Sequence, residues 1–388
     1  MVYTRIVQPG VRRKYVYSPG ELTIFRISGT IMPNVANKCV VVACFTFGMC
    51  LVYDRLRRAM KNGEPLSRRD KLLNHVFLDS EKIFSYLTGF LTFILGFFNS
   101  IVFARWWKMR ELCGDIIECS QNAAMHVCVF FTEPPTADET GQAQLRNGRR
   151  HLIRLIALAQ ALALQSCHRV RDLDYAIEKS LLTRHGPEHA ALERITGPGY
   201  NEVYGWCIAE CYRYGDELKM VKPGVVSSVL YSIRWALLKS SNDSEDLMMY
   251  LNQPVPLAYY HLLEVMVVVV TLVGSVAFVP SLLWFSVVIS PLLTFFFFGF
   301  FSLGTTMLMD PFVKESGFDT ESFLTSTILN MQSLETNVPL GSFPLGGGAK
   351  QSSGIHPLDT QFAAGFRDPN SEGFQPSPRQ LASMKKVS

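Results

Sequence analysis

The chain has 388 residues, of which 48% are hydrophobic and only 18% charged, and its formal net charge is +4. That balance leans toward the membrane class and argues against a nucleic-acid binder, which would concentrate Lys and Arg on one folded face. The 9 cysteines are scattered, with no CxxC pair and no His-Cys cluster, so free thiols are expected rather than a zinc site or a disulfide scaffold.

Residues 1–32 hold Arg5, Arg12, Arg13, Lys14 and Arg26 against Glu21 alone, with no long apolar stretch. The charge pattern resembles that of an organelle transit peptide, but Pro9, Gly10, Pro19 and Gly20 break the amphipathic helix that such a peptide uses. An N-terminal cytosolic segment is expected. The first apolar span then runs from about Pro33 to Tyr53, weakened near its start by Asn37 and Lys38. The second is the most informative stretch of the chain. From Ile83 to Ala104 no side chain is charged, about 22 residues or roughly 33 Å of helix, enough to cross a bilayer. It carries Phe84, Phe90, Phe93, Phe97, Phe98 and Phe103 and stops at Arg105-Trp106-Trp107. Residues 33–107 thus form a membrane domain of spans one and two.

Residues 108–253 alternate amphipathic helical patterns with breakers at Pro134-Pro135, Gly197-Pro198-Gly199 and Pro223-Gly224, which predicts a cytosolic helical region. Residues 254–309 supply spans three and four. Glu264 is the one formal charge between Asp246 and Asp310, Pro280 marks the expected turn, and Pro291 is expected to kink the fourth span. An acidic segment and helix occupy 310–336. The remainder, 337–388, is rich in Gly, Pro and Ser and is expected to be disordered or to wrap a partner. The fold class is therefore an all-α membrane protein with four transmembrane helices and a cytosolic helical region.

An even number of spans puts both termini and the region between spans two and three on one side. The loop joining spans one and two, with Arg55, Arg57, Arg58, Lys61, Arg68, Arg69 and Lys71, then falls outside, against the positive-inside rule. Either the orientation is reversed, or these cations form an anion-concentrating vestibule.

Catalytic chemistry finds little footing, and no phosphate loop, Ser-His-Asp set or nucleotide fingerprint is present. His185 and His189 are spaced like a helical metal pair, but Pro187 disrupts the helix that would align them. His261 and Glu264 are three apart within span three, which suits a proton relay or ion site as well as a plain interfacial or bundle position. In span two, wound at about 100° per residue, Phe90, Phe93 and Phe97 fall within about 60° of one another, with Thr88, Thr92 and Asn99 almost opposite. By itself this fits phenylalanines turned to lipid or core, with the Thr/Asn face as hydrogen-bonding glue between helices. It also fits a hydrophobic constriction, a ring of Phe from several subunits.

At this point the residues carry a resemblance. FILGFFNSIVFARWW resembles the pore helix of the bestrophin anion channels, a Phe-x-x-x-Phe stripe before Arg-Trp-Trp. LQSCHRVRDLDYAIEKSLLTRHGPE is similar to the family's cytosolic segment, QPVPLAYYHLLEVMV to its entry to the third span, and MLMDPFVKESGFD to its Asn-Pro-Phe-acidic motif after the fourth. The four stretches keep the family's order from about residue 30 to residue 325. The protist, algal and fungal branches are candidate homes.

The resemblance implies a homopentamer in a lipid bilayer around one axial pore, passing chloride, with bicarbonate as a second candidate ion, and with no enzymatic activity and no nucleic-acid partner. By position, Phe93 and Phe97 are implied neck residues, with Gly89 at the third neck position, usually a branched aliphatic, and Phe90 beside it. A cytosolic aperture is implied at Val229, or less well at Val226. Calcium-gated members place an acidic run after Asn-Pro-Phe; here Asp310, Glu315 and Asp319 are the candidate Ca²⁺ ligands, with Lys314 intruding. Arg105, Arg55, Arg57 and Arg58 are the expected vestibule cations. Family members occupy plasma membrane and thylakoids, and the plasma membrane is the expectation here. A non-channel membrane scaffold and a proton-coupled transporter using His261 and Glu264 are the competing readings.

Overall fold

Pro33 in the first turn and Arg58 and Lys61 in the last give helix α1, Met32–Lys61, favourable chemistry at both ends. The computed structural model in which it is seen describes residues 3–5, 14–16, 30–62, 65, 67–169, 171–312 and 318–338. Before α1, strands β1 (Tyr3–Arg5) and β2 (Lys14–Val16) pair antiparallel, a small departure from an all-α chain. Helix α2, Arg68–Phe130, is 63 residues long, about 95 Å at the usual rise and some three times a hydrocarbon core. It runs through the expected domain boundary at 107/108 because no proline interrupts it before Pro134. The second apolar span is only its middle.

The described residues of 1–116 and 242–322 form one compact unit, and those of 117–241 and 323–388 another. In the first unit, α8 (Leu257–Leu282) and α9 (Ser286–Ser302) form an antiparallel hairpin beside α1 and α2. The reversal falls at Leu283 (φ 51°), while Pro280 is still inside α8. Proline removes one N–H but lets the helix finish its turn, and the positive φ of Leu283 is what ends it. Leu91, Leu95, Phe98 and Val102 of α2 pack with Val35, Leu263, Val267, Val270, Phe298 and Phe301 to make the core. Beyond α9 a π-turn, Leu303–Met307, brings Gly304 so close to α2 that a Cβ there would sit 2.5 Å from Phe98 and 3.0 Å from the Asn99 amide oxygen. Gly304→Ala is expected to destabilise the protein by about 1–3 kcal/mol through overpacking, read as a lowered melting temperature in detergent.

In the second unit, α3 (Glu139–Cys167) is buried along nearly its whole circumference from Leu152 to Leu164, a central helix rather than an amphipathic surface one. Asp138 caps it by accepting from the Gly141 N–H. Short helices α4 (Leu173–Glu178) and α5 (Pro187–Arg194) follow, then α6 (Tyr200–Tyr212), a π-turn (Arg213–Glu217) and α7 (Val226–Asn252). Arg154 of α3 holds α5 by two parallel bonds to Glu188, both 2.7 Å, and also donates to the Leu181 carbonyl. Helix α10, Thr320–Asn337, lies on α3 through Arg150–Glu335 and a Gln160–Thr327 bond of 3.3 Å. The tail beyond residue 338 lies outside the described residues.

Candidate functional site: the open face of α2 and the elements around it

The two faces of α2 separate cleanly in the first unit. Leu91, Leu95, Phe98 and Val102 turn to the core, whereas Phe90, Phe93 and Phe97 remain 56%, 71% and 56% exposed on the chain. Gly89 and Gly96 lie on this open face, and a Cβ at either would meet none of the described residues within 4 Å. Gly274 of α8, by contrast, is held 2.8 Å from the Phe84 ring by the same measure. The aromatic stripe is therefore no part of the described core, and the two glycines beside it serve no packing among the described residues.

Among the described residues the Thr/Asn face bonds within its own helix. Thr92 donates to the Thr88 carbonyl and Asn99 to the Leu95 carbonyl, both on α2 itself. Arg105-Trp106-Trp107 forms an anchor at the end of the stripe. The Arg105 guanidinium donates 2.9 Å to the Gln253 carbonyl, lies over the Tyr250 ring and is within electrostatic reach of Asp310. Trp106 packs on Phe318, which packs on Phe312. These contacts make Arg105 a clamp rather than a freely presented cation. Arg55, Arg57 and Arg58 are exposed near the end of α1, with Arg58 paired to Asp54.

Of the candidate Ca²⁺ ligands, Asp310 accepts from the Phe312 N–H and Asp319 caps α10 by accepting from the Ser322 N–H. Both carboxylates thus close local turns. Glu315 lies outside the described residues. Among the described residues no group of three His, Cys, Asp or Glu is placed to hold a metal. The same holds at His185 and His189, whose rings are 6.2 Å apart: α5 starts at Pro187, leaving His185 outside it. His261 is exposed and Glu264 half-buried on α8, and among the described residues no ion pair joins them. Burial pushes the Cys211 thiol up to about 12, so it behaves as a core residue, not a reactive one.

On α7 the expected aperture residue is turned inward. Val229 is 4% exposed, packed inside the second unit, and Val226 is half-buried. The outward face carries instead Tyr231 (67% exposed) and Trp235 (56%), with Leu238 a turn further on. This face is absent from the residues singled out by motif, although the i, i+4, i+7 spacing of 231, 235 and 238 is the signal that finds it. Ser240, on the opposite side, is fully buried and bonds Tyr204 and Ser120.

Three stretches are long and apolar enough to cross a membrane by length and composition, Met32–Lys61, Arg68–Phe130 and Leu257–Thr306, the last containing the α8–α9 hairpin. The fold is shared with a crystallised point mutant of a bacterial bestrophin homologue from Klebsiella pneumoniae, at TM-score 0.60 and 16% identity over 78% of this chain and 99% of that one. A second structure of a Klebsiella pneumoniae bestrophin homologue matches at TM-score 0.57 and 16% identity, over 79% and 100%. A crystallised glycine-to-alanine mutant described only as a membrane protein matches at 0.58 and 15%, over 79% and 100%. None of the curated proteins matches the sequence. The family model for bacterial and fungal bestrophin proteins matches residues 11–317. That match takes in α1 to α9 and the segment after them, and with the apolar helices it establishes that the chain is an integral membrane protein belonging to the bestrophin family.

Proposed function

We propose that the chain is one subunit of a homopentameric channel passing chloride, with bicarbonate as a second candidate ion, and with the stripe of Phe93 and Phe97 lining its neck. The observation that carries this reading is the pair of open aromatic faces, one on α2 and one on α7. Lipid could cover the first. It does not suit the second, because α7 lies outside the stretches apolar enough to cross a membrane. Exposed Tyr and Trp on such a helix call for protein contact, and further copies of the chain satisfy both faces at once. Gly89 and Gly96 then leave room beside the stripe for a neighbouring helix or for the permeant ion.

The mechanism is passive. Phe ring edges carry the positive part of the ring quadrupole, so a ring of five at Phe93 and another at Phe97 is less hostile to anions than to cations. A constriction of this kind gates by dewetting. Exposed Arg55 and Arg57 near the end of α1 raise local anion concentration at the mouth. Asp310 and Asp319 each accept one N–H in a local turn. Purified protein in a planar bilayer is expected to give a reversal potential that follows the chloride gradient. A potential following sodium or potassium would end the proposal, and a monomer by light scattering would favour a membrane scaffold. Flux driven by pH and lost in Glu264→Gln would favour the transporter.

A further inference from the structure

We propose that His151 is a proton-operated latch that holds the π-turn Arg213–Glu217, and with it the segment leading into α7. Its effect on permeation rests on the channel reading, whereas the latch itself does not. The site lies wholly within the second unit. Arg154 presents one Nη2 to Glu188 at 2.7 Å and to His151 Nδ1 at 3.1 Å. A guanidinium can only donate, so Nδ1 must be the acceptor, which fixes the imidazole as neutral with its proton on Nε2. The same ring stands edge-on to Tyr214, 6.0 Å between centres. Tyr214 also lies against Gly148 one turn earlier on α3, where a Cβ would be 3.3 Å from its ring.

From Tyr214 the chain is tied directly to the start of α7. The Tyr214 carbonyl accepts from the Met220 N–H at 3.1 Å, and the Met220 carbonyl accepts from the Glu133 N–H at 3.0 Å. Val221 bridges to Phe131, and α7 begins at Val226. The charged and titratable groups facing His151 are Arg154 on its own helix, Glu188 of α5, Glu210 of α6, and Arg213 and Tyr214 of the π-turn. The two carboxylates offer the imidazolium little. Glu188 is engaged by both arms of Arg154, and Glu210 accepts from Arg213. A proton on Nδ1 would therefore break the bond to Arg154 and set two cations in contact within a half-buried site.

The sign follows from burial, and then from the neighbouring Arg154 charge, which together hold the His151 pKa below its ordinary 6.5. A histidine depressed in the fold contributes stability that is complete above about 6.5 and is lost as pH falls from there through the folded value. Acidification is thus expected to loosen the latch.

Hydrogen exchange on the full-length protein in nanodiscs tests this, with labelling times scaled for the intrinsic pH dependence of exchange. Residues 213–225 are expected to lose about ten-fold protection between pH 7.5 and pH 5. His151→Gln, whose amide oxygen still accepts from Arg154 but cannot be protonated, is expected to keep it. His151→Lys, a fixed cation, is expected to show the acid pattern already at pH 7.5. Unchanged protection in the wild type, or an equal loss in His151→Gln, would overturn the proposal. Should His151→Gln loosen the unit by itself at pH 7.5, the wild-type midpoint decides: below about 6.5 supports the latch, and above it overturns it.

Discussion

Phe93→Ala combined with Phe97→Ala is expected to yield a channel that conducts constitutively, its resting anion conductance raised at least about ten-fold, equivalent to removing some 1.4 kcal/mol of barrier. Both rings stand off the chain's own core, so truncating them leaves the packing of Leu91, Leu95 and Phe98 intact. The loss falls on whatever the rings face. If five copies face one another, the constriction loses two apolar layers and stays wet. Single-channel recording in symmetric chloride reads the effect directly. Unchanged gating with normal assembly would place the stripe against lipid. Phe98→Ala is a useful contrast: this ring is fully buried among Tyr259 and Phe301, and its truncation is expected to cost about 3–5 kcal/mol of stability without the selective leak.

Tyr231→Glu combined with Trp235→Glu is expected to dissociate the assembly into folded monomers and abolish flux. Tyr and Trp are the residue types that most often dominate interfaces, each costing about 2 kcal/mol or more when removed, and a carboxylate buried in their place adds its own desolvation. Within the isolated chain both side chains are exposed, so the fold has little reason to suffer. Light scattering in detergent would show the fall in mass, and circular dichroism the retained helix. An oligomer of unchanged mass would remove α7 from the interface and leave its aromatic face without a partner in this proposal.

The spans were legible because apolar runs with few charges carry their own signal. Even so, the sequence placed the turn at Pro280, whereas the chain reverses at Leu283, since proline punctuates a helix without fixing where it ends. The facing of α7 was harder. Val226 and Val229 stand close together after Pro223-Gly224, and nothing in their spacing says that Val229 packs inward while Tyr231 and Trp235 face out. That depends on which side of α7 meets α2 and α6 through Ser240, Ser120 and Tyr204. His151 was equally silent. Its partners Glu188 and Tyr214 lie 37 and 63 positions further along, and only folding brings them to one guanidinium and one ring.

Composition and order along the chain determined the class of this protein, the apolar helices and the aromatic run ending in Arg-Trp-Trp, because hydrophobic length and local spacing are properties of a segment alone. Tertiary structure decided which face of each segment is spent on the chain's own core. On α2 that choice leaves Phe93 and Phe97 open, and at the end of the same run it turns Arg105 into a clamp. Burial is shared among segments distant in sequence, so no segment can specify it by itself.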